Sequence, residues 1–135
     1  MSKIVLVVAA HADDEVLGCG GTIAKHAISG DKVYVVFMTN GVGSRNAKID
    51  EIKHRKKASE EAAKILGVSL TKQFDFPDNK MDTVALLDVI QSIEEVISKL
   101  QPEIIYTHHI GDLNIDHQIT HKAVMTACRP HPDFC

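Results

Sequence analysis

The sequence is poor in the residues that mark several common classes of protein. Tryptophan is absent and aromatic residues make up only 4% of the 135 residues, so a platform of rings that stacks nucleic-acid bases is not expected. The 4 prolines and 8 glycines are too few for a collagen-like or low-complexity chain. The 3 cysteines, an odd number, cannot all pair within the chain, which favours reduced thiols and a cytoplasmic location.

Long apolar runs and an excess of positive charge are also missing. The longest run near the start, Ile4–Ala10, falls far short of the ~20 residues that a membrane helix needs, and no small-residue cleavage site follows it. It therefore predicts a buried strand rather than a membrane span or a signal peptide. Lys and Arg total 15 against 18 Asp and Glu, and the net charge of −3 argues against a nucleic-acid partner.

Apolar runs alternate with segments of helical periodicity, which is typical of an α/β fold. The predicted strands are Ile4–Ala10, Val33–Met38, Val68–Phe76 and Glu103–Thr107. The predicted helices are a short one ending near Ser29-Gly30, then Asp50–Leu66, a helix from an N-cap at Asp82 or Thr83 to Leu100, and Ile115–Cys128. In the second helix, the expected buried stripe is Ala58, Ala62, Ile65 and Leu66. The order predicts a Rossmann-like three-layer α/β/α fold with a mostly parallel sheet.

Function in an open parallel sheet gathers at the carboxyl ends of the strands. The first predicted strand is followed by His11-Ala12-Asp13-Asp14-Glu15, the second by Thr39-Asn40-Gly41, and the last by a stretch from His108 to His117. Two of these segments combine histidine and aspartate at short spacing. Nitrogen and oxygen ligands of this kind suit a metal such as zinc.

The first of these segments is, by itself, open to two interpretations. In the first interpretation, the adjacent acidic groups lie at a buried strand end, where they would repel one another unless a cation is bound. In the second, they form a solvated turn that caps the next helix. The later segment favours the metal site. His117 stands at the start of a predicted helix, and a helix N-terminus disfavours a protonated imidazole, which keeps a ligand histidine neutral. His11, Asp14 and His117 would then be three protein ligands with a fourth position open for water, as in catalytic zinc sites.

These residues resemble a known family. The segment His11-Ala12-Asp13-Asp14-Glu15-Val16-Leu17-Gly18 resembles the first motif of the PIG-L/LmbE-like N-deacetylases. The segment Asp112-Leu113-Asn114-Ile115-Asp116-His117 is similar to their second motif, and the resemblance extends over essentially the whole chain. It implies zinc-dependent hydrolysis of an N-acetyl group on an amino sugar or its conjugate, with acetate and a free amine as products.

The resemblance also implies a role for each site residue. The residues that match the family's metal ligands are His11, Asp14 and His117. Asp13 would be the general base that takes a proton from the zinc-activated water and hands it to the leaving amine. Asp116 would be a carboxylate that orients a catalytic histidine or a water network. Arg55, in the helix before Leu66-Gly67, would contact the substrate.

Two positions depart from the family's pattern. Ala12 stands where proline is usual, so the turn is less rigid. Asn114 stands where a histidine often helps to stabilise the oxyanion, and an amide there donates a hydrogen bond but supplies neither positive charge nor a proton. His108 or His109 is a candidate substitute for that histidine.

Several alternatives stay open. Two histidines and one carboxylate also bind Fe(II), so that ion or another divalent cation is an alternative metal. The alternative function is a metal- or sugar-binding module without catalytic activity. His117 and His121 have a metal-ligand spacing but lack the glutamate of a metalloprotease, so His121 is expected to be a surface or packing residue. Gly18-Cys19-Gly20-Gly21 resembles a nucleotide-binding loop, but the glycines start seven residues after His11, which favours close packing of the helix on the sheet.

The chain of 135 residues is short for the family that it resembles. Family members usually continue well past the second motif. We therefore expect residues 1–135 to be a single deacetylase domain that lacks the C-terminal part of the family's fold. Such a chain would be truncated or completed by partner subunits, so a homo-oligomer is expected. The expected ligand is a small N-acetylated sugar or conjugate.

Overall fold

The computed structural model describes residues 1–41 and 48–130. Within these residues, the strands β1 (Ile4–Ala9), β2 (Lys32–Thr39), β3 (Leu70–Phe76) and β4 (Ile104–Tyr106) form a parallel sheet in the order β3-β2-β1-β4. The helices are α1 (Asp14–Ile28), α2 (Ile49–Leu66), α3 (Leu86–Leu100) and α4 (Ile115–Ala127), with a short 3-10 turn at Met81–Thr83. The predicted alternation of strands and helices and the α/β class are confirmed.

The central strand β1 is buried on both faces, which explains its unbroken apolar run. Val5 and Val7 pack with the α1 side of the molecule, whereas Leu6 and Val8 pack with α3 and α4. The result is three layers, with α1 and α2 on one face of the sheet and α3 and α4 on the other. Burying each such side chain contributes about 1.5–3 kcal/mol, so the residues that mark the strand also hold the layers together.

Helix α2 packs more loosely than its sequence predicts. It has no fully buried residue: Ala58 and Ile65 of the expected stripe are exposed, and Ala62 and Leu66 are half-buried. The predicted stop at Gly67 is confirmed. Its φ of 78° is left-handed, and a Cβ there would lie 2.7 Å from the Cβ of Ala27. Glycine is therefore required where the helix end approaches α1.

Helix α3 begins later than predicted. Asp82 and Thr83 lie in the 3-10 turn, and Ala85 is the residue that precedes the helix. Met81 is fully buried and its backbone N–H donates to Asp116 at 3.1 Å. This anchor holds the chain in a tight turn before the helix can start. The predicted N-cap at Asp82 or Thr83 is therefore wrong.

The described residues contain no helix that is both long and apolar enough to cross a bilayer. Cys19 and Cys128 are free thiols, and Cys135 lies outside the described residues.

Candidate metal centre

The carboxyl ends of β1 and β4 bring the two histidine-containing segments together. These strands are neighbours in the sheet, with Val7 of β1 opposite Tyr106 of β4. His11 follows the end of β1, and His117 lies in the first turn of α4, the helix that follows β4. Because the strands are parallel, both loops lie at the same edge of the sheet.

Three candidate ligand atoms face one another at this edge. Oδ2 of Asp14 lies 3.3 Å from Nδ1 of His11 and 3.1 Å from Nε2 of His117, and the two ring nitrogens are 3.3 Å apart. In a tetrahedral zinc site with ligands at 2.0–2.1 Å, neighbouring ligand atoms are about 3.3 Å apart. The donor types and their spacing therefore fit a tetrahedral divalent cation, with one position left for water or substrate.

Asp116 holds the ring of His11 from behind. Its Oδ2 lies 2.8 Å from Nε2 of His11, and its carboxylate accepts the backbone N–H groups of Asn79 (2.6 Å) and Met81 (3.1 Å). The side chain is 0% exposed. Asp78, also buried, places Oδ1 3.1 Å from the same Nε2. With the Nε2 proton directed at these carboxylates, Nδ1 of His11 is the nitrogen left to bind a cation.

His117 has the matching arrangement. Its Nδ1 lies 2.7 Å from Oδ2 of Asp112, while its Nε2 faces Asp14 and His11. Asp112 is itself held, because its Oδ1 accepts the backbone N–H of Asn114 at 2.9 Å. A carboxylate behind each histidine fixes the tautomer and the ring orientation, which is the usual support of histidines that bind metals.

His108 supports the site from the side. Its ring stacks on that of His117, with centroids 3.9 Å apart, and its Nε2 accepts the backbone N–H of Ala10 at 2.9 Å. His109 is exposed and accepts the N–H of Gly111 at 3.0 Å. Neither is among the described residues that line the pocket around the ligands. His121 packs as expected, with Nδ1 2.7 Å from the carbonyl of His108.

The cluster favours positive charge at its centre. Burial lowers the pKa of His11, but hydrogen bonds and charges from Asp14 and Asp116 outweigh burial and raise that pKa to about 9. Burial raises the pKa of Asp14, but hydrogen bonds from His11 and the charges of the His117 and His108 rings outweigh burial and hold that pKa below its ordinary value. Burial and His117 lower the pKa of His108 to about 4. Carboxylates that stabilise an imidazolium here would also stabilise a metal cation.

Asp13 lies beside the ligands with its side chain exposed. It lines an open pocket of about 240 Å³ together with the three ligand residues. Its φ of 149° lies in a region that side chains rarely adopt, which costs about 1–3 kcal/mol, and its N–H donates to the buried Glu15 at 2.9 Å. This location suits a general base, and that role stays a prediction.

Asn114 caps helix α4. Its Oδ1 accepts the backbone N–H groups of Asp116 (2.9 Å) and His117 (3.3 Å), so the amide oxygen is occupied. Its Nδ2 lies 3.5 Å from Oδ1 of Asn79, and both residues line the pocket. The asparagine therefore positions His117, and its amide nitrogen is the group left to donate a hydrogen bond into the pocket. Arg55 reaches the same pocket from α2.

Asp78 and Asn79 also form part of the site, although neither motif contains them. They follow β3, and the strand-end rule that found the other segments would have found them if applied to that strand. The sequence indicates Asp112 only as part of a motif, because its contact with His117 depends on how the loop before α4 folds back.

The chain matches known proteins over most of its length. The profile of the family described as PIG-L: GlcNAc-PI de-N-acetylase matches residues 6–128. The uncharacterized deacetylase YaiS of Escherichia coli (strain K12) is 37% identical over 98% of this chain and 71% of its own length. A 4-oxalmesaconate hydratase of Pseudomonas putida is 35% identical over 87% of this chain and 48% of its own length.

A solved structure shares the fold. The N,N'-diacetylchitobiose deacetylase from Pyrococcus horikoshii superposes with a TM-score of 0.82 at 27% identity, over 93% of this chain and 49% of that one. The present chain thus spans about half the length of that deacetylase and of the hydratase.

Proposed function

The chain belongs to the PIG-L family of GlcNAc-PI de-N-acetylases, and on that premise we propose that it is a zinc-dependent hydrolase that removes the N-acetyl group from an amino sugar or amino-sugar conjugate. One observation carries the proposal. The ligand atoms of His11, Asp14 and His117 stand 3.1–3.3 Å apart, at the spacing that a tetrahedral cation requires.

The proposed ligands are His11, Asp14 and His117, while Asp116 and Asp112 keep the two rings oriented. A bound zinc ion supplies the Lewis acidity that activates water and polarises the acetyl carbonyl. Of the three proposed ligands only Asp14 carries charge, so a divalent cation bound by them would keep a partial positive charge on the side that faces the substrate. That charge favours the negative charge that develops on the carbonyl oxygen.

Asp13 is the proposed general base. Its exposed carboxylate takes a proton from the attacking water and returns one to the leaving nitrogen as the C–N bond of the amide breaks. The amide nitrogen of Asn114 donates toward the carbonyl oxygen, since its own oxygen is held by α4. Arg55 binds hydroxyl groups or an anionic group of the substrate.

The hydratase among the relatives supports a second candidate function. It is 35% identical to this chain over 87% of the chain. The same ligands and base would serve to add water to an unsaturated acid. A third candidate, a metal- or sugar-binding module, would use the ligands and the pocket without turnover.

Amine and acetate release from N-acetylglucosamine and diacetylchitobiose tests the proposal. The protein is loaded with graded amounts of zinc, and Asp13→Asn serves as the matched variant that keeps the shape and loses the charge. We expect release in proportion to bound zinc, and a fall of about 10²–10⁴-fold in Asp13→Asn with the metal retained. Amine release that persists in Asp13→Asn would show that Asp13 is not the general base.

The same preparation separates the other candidates. Water addition to 4-oxalmesaconate without amine release from either sugar would favour the hydratase. Metal and sugar binding with neither reaction would favour the non-catalytic module. Metal analysis of protein prepared without added zinc distinguishes zinc from Fe(II) or another divalent cation.

A further inference from the structure

The first motif ends in a buried carboxylate that the proposed reaction does not use. Glu15 is only 5% exposed, although it directly follows two other acidic residues, Asp13 and Asp14. Taking a carboxylate out of water beside two others is unfavourable unless a specific contact offsets the cost. The structure supplies such a contact, because the backbone N–H of Asp13 donates to Oε2 of Glu15 at 2.9 Å.

The backbone of Asp13 needs a contact of this kind. Its φ of 149° and ψ of −28° lie outside the regions that side chains ordinarily allow. Among the described residues, two other non-glycine residues have positive φ, Asn79 at 54° and Gln101 at 50°, and both fall in the common left-handed region. The rarer conformation of Asp13 persists only if the surrounding structure holds it.

Both backbone groups of Asp13 are held, while its side chain is left for the pocket. The N–H donates to Glu15, and the carbonyl accepts the N–H groups of Val16 (3.1 Å) and Leu17 (3.0 Å) at the start of α1. Asp13 occupies the N-cap position of α1, but its carboxylate makes no capping hydrogen bond. That carboxylate lines the pocket around the candidate ligands instead.

Glu15 does not reach this pocket itself. It lines a different cavity, of about 470 Å³, together with Cys19, Thr22 and Tyr106. It is not among the described residues that line the pocket around the candidate ligands. Any effect of Glu15 on a substrate in the pocket must therefore pass through the residues that it contacts, and Asp13 is the one that faces the substrate.

We propose that Glu15 is a positioning residue, whose carboxylate holds the backbone of Asp13 at a φ of 149° and so keeps the Asp13 carboxylate beside the metal ligands. The proposal rests on the proposed function for the chemistry that Asp13 performs, but not for the conformation of Asp13. Without the acceptor on Glu15, the strained φ relaxes to a negative value, which redirects the Asp13 side chain.

Helix capping is the competing explanation of the same contact. An acidic side chain in the first turn of a helix can accept the N–H of the N-cap residue and so stabilise the helix start. Capping alone predicts that a substitution of Glu15 lowers stability and leaves turnover by the folded protein unchanged. The two explanations therefore differ in kcat and in the conformation of Asp13.

Two substitutions of Glu15 separate the acceptor from the bulk of the side chain. Glu15→Gln keeps an oxygen that can accept the N–H of Asp13, whereas Glu15→Met keeps the length and removes the carboxylate. Glu51→Met is the matched control, because Glu51 is an exposed acidic residue in the first turn of α2. Circular dichroism and zinc analysis show that each variant is folded and loaded, so that kcat refers to intact protein.

The conformation of Asp13 can be measured without turnover. In ¹⁵N-labelled, zinc-loaded protein, the three-bond coupling between the amide and α protons of Asp13 reports φ, and the exchange of its amide proton reports the hydrogen bond to Glu15. We expect wild type and Glu15→Gln to share one coupling and slow exchange. Glu15→Met should change the coupling and speed exchange about tenfold or more.

Kinetics of amine release then test whether this conformation matters. Glu15→Met should lower kcat about 10–100-fold and leave KM within about twofold, because the base is misplaced while the binding groups are unchanged. Glu15→Gln should restore kcat to within about threefold of wild type, and Glu51→Met should leave it unchanged. In the Asp13→Asn background, Glu15→Met should cause no further fall, because Glu15 acts through Asp13.

Several results would overturn the positioning role. They are an unchanged coupling in Glu15→Met, equal losses of kcat in Glu15→Met and Glu15→Gln, or a further loss in the Asp13→Asn background. Lower stability with unchanged kcat would reduce Glu15 to a helix cap, and loss of zinc would mean that it supports Asp14 instead. If wild type releases no amine, the deacetylase is overturned, whereas the coupling of Asp13 in the two Glu15 variants still decides whether Glu15 holds Asp13.

Discussion

Two histidine–aspartate clusters among the described residues differ in what surrounds the histidine. In the first, Nε2 of His11 meets the buried Asp116 at 2.8 Å, and Nδ1 faces Asp14 and His117. In the second, Nδ1 of His26 meets Asp31 at 2.6 Å, and Nε2 lies 3.0 Å from the hydroxyl of Tyr106.

The second cluster is closed. Both ring nitrogens of His26 have partners, and in the described part of the chain no third metal-ligating side chain joins His26 and Asp31. It ties the last turn of α1 to β4 and to the residue before β1, whose N–H donates to Asp31 at 2.9 Å. A histidine beside an aspartate is therefore a poor sign of a metal site. A ring nitrogen that faces other ligand atoms is a better one.

Removing a histidine from each cluster gives the largest expected contrast. His117→Ala should weaken metal binding about 1,000-fold, because it deletes one of three protein ligands, and amine release should fall with it. His26→Ala should keep the full metal content. The metal content of both variants is measured after dialysis against a competing chelator. Comparable metal loss in the two variants would contradict the assignment of the metal site to the first cluster alone.

Neutralising the carboxylate behind each histidine gives a smaller contrast. Asp112→Asn should lower metal affinity about 10–100-fold, because Nδ1 of His117 loses its anionic partner. Asp112 is the better choice than the fully buried Asp116, where the same change also disturbs two backbone hydrogen bonds. Asp31→Asn is the matched control and should leave affinity unchanged. A chelator competition titration measures the metal affinity of both variants. Unchanged affinity in Asp112→Asn would mean that Asp112 does not support metal binding through His117.

The closed cluster should contribute to stability alone. Tyr106→Phe removes the hydroxyl beside Nε2 of His26 and should lower the free energy of unfolding by about 0.5–1.5 kcal/mol. Urea denaturation followed by circular dichroism measures this change. Zinc affinity and amine release are the controls and should stay at wild-type values. A loss of either would mean that the two clusters are coupled.

The smallest effect concerns pH. The backbone N–H of Lys3 and the ring of His26 hold the pKa of Asp31 below its ordinary value. A carboxyl group with a lowered pKa in the folded state stabilises the fold at neutral pH, and that contribution disappears as the pH falls below about 4. The difference in unfolding free energy between wild type and Asp31→Asn should therefore shrink as the pH is lowered from 7 to 3. If the difference in unfolding free energy grows as the pH is lowered, Asp31 does not stabilise the fold through a lowered pKa.

The sequence predicted the order of the elements well, and the reason is burial. Parallel strands such as β1 are covered on both faces, so their residues must be apolar without interruption, and that pattern is local. The packing of α2 was not predictable in this way. A stripe such as Ala58 and Ile65 shows that one helix side is less polar, but how closely the helix approaches the sheet depends on what both surfaces present.

The candidate site was predicted in part. The motifs contained His11, Asp14 and His117, and the fold brings their ligand atoms together. The sequence did not reveal which carboxylate serves which ring. His11 and Asp116 are 105 positions apart, and the contact of Asp78 with His11 depends on the turn after β3. Asn114 directly precedes the predicted helix Ile115–Cys128, so its N-cap role could have been predicted from the sequence, whereas its place in the pocket depends on the fold.

By itself, the sequence determined the alternation of strands and helices, the absence of a large cationic surplus, and the residue types that could bind a metal at strand ends. Each of these depends on composition or on neighbours in the chain. The tertiary structure alone decided which nitrogen of each histidine is free and which carboxylates stand behind the rings. These features depend on distances between atoms that are remote in sequence, and such distances are set by the packing of layers.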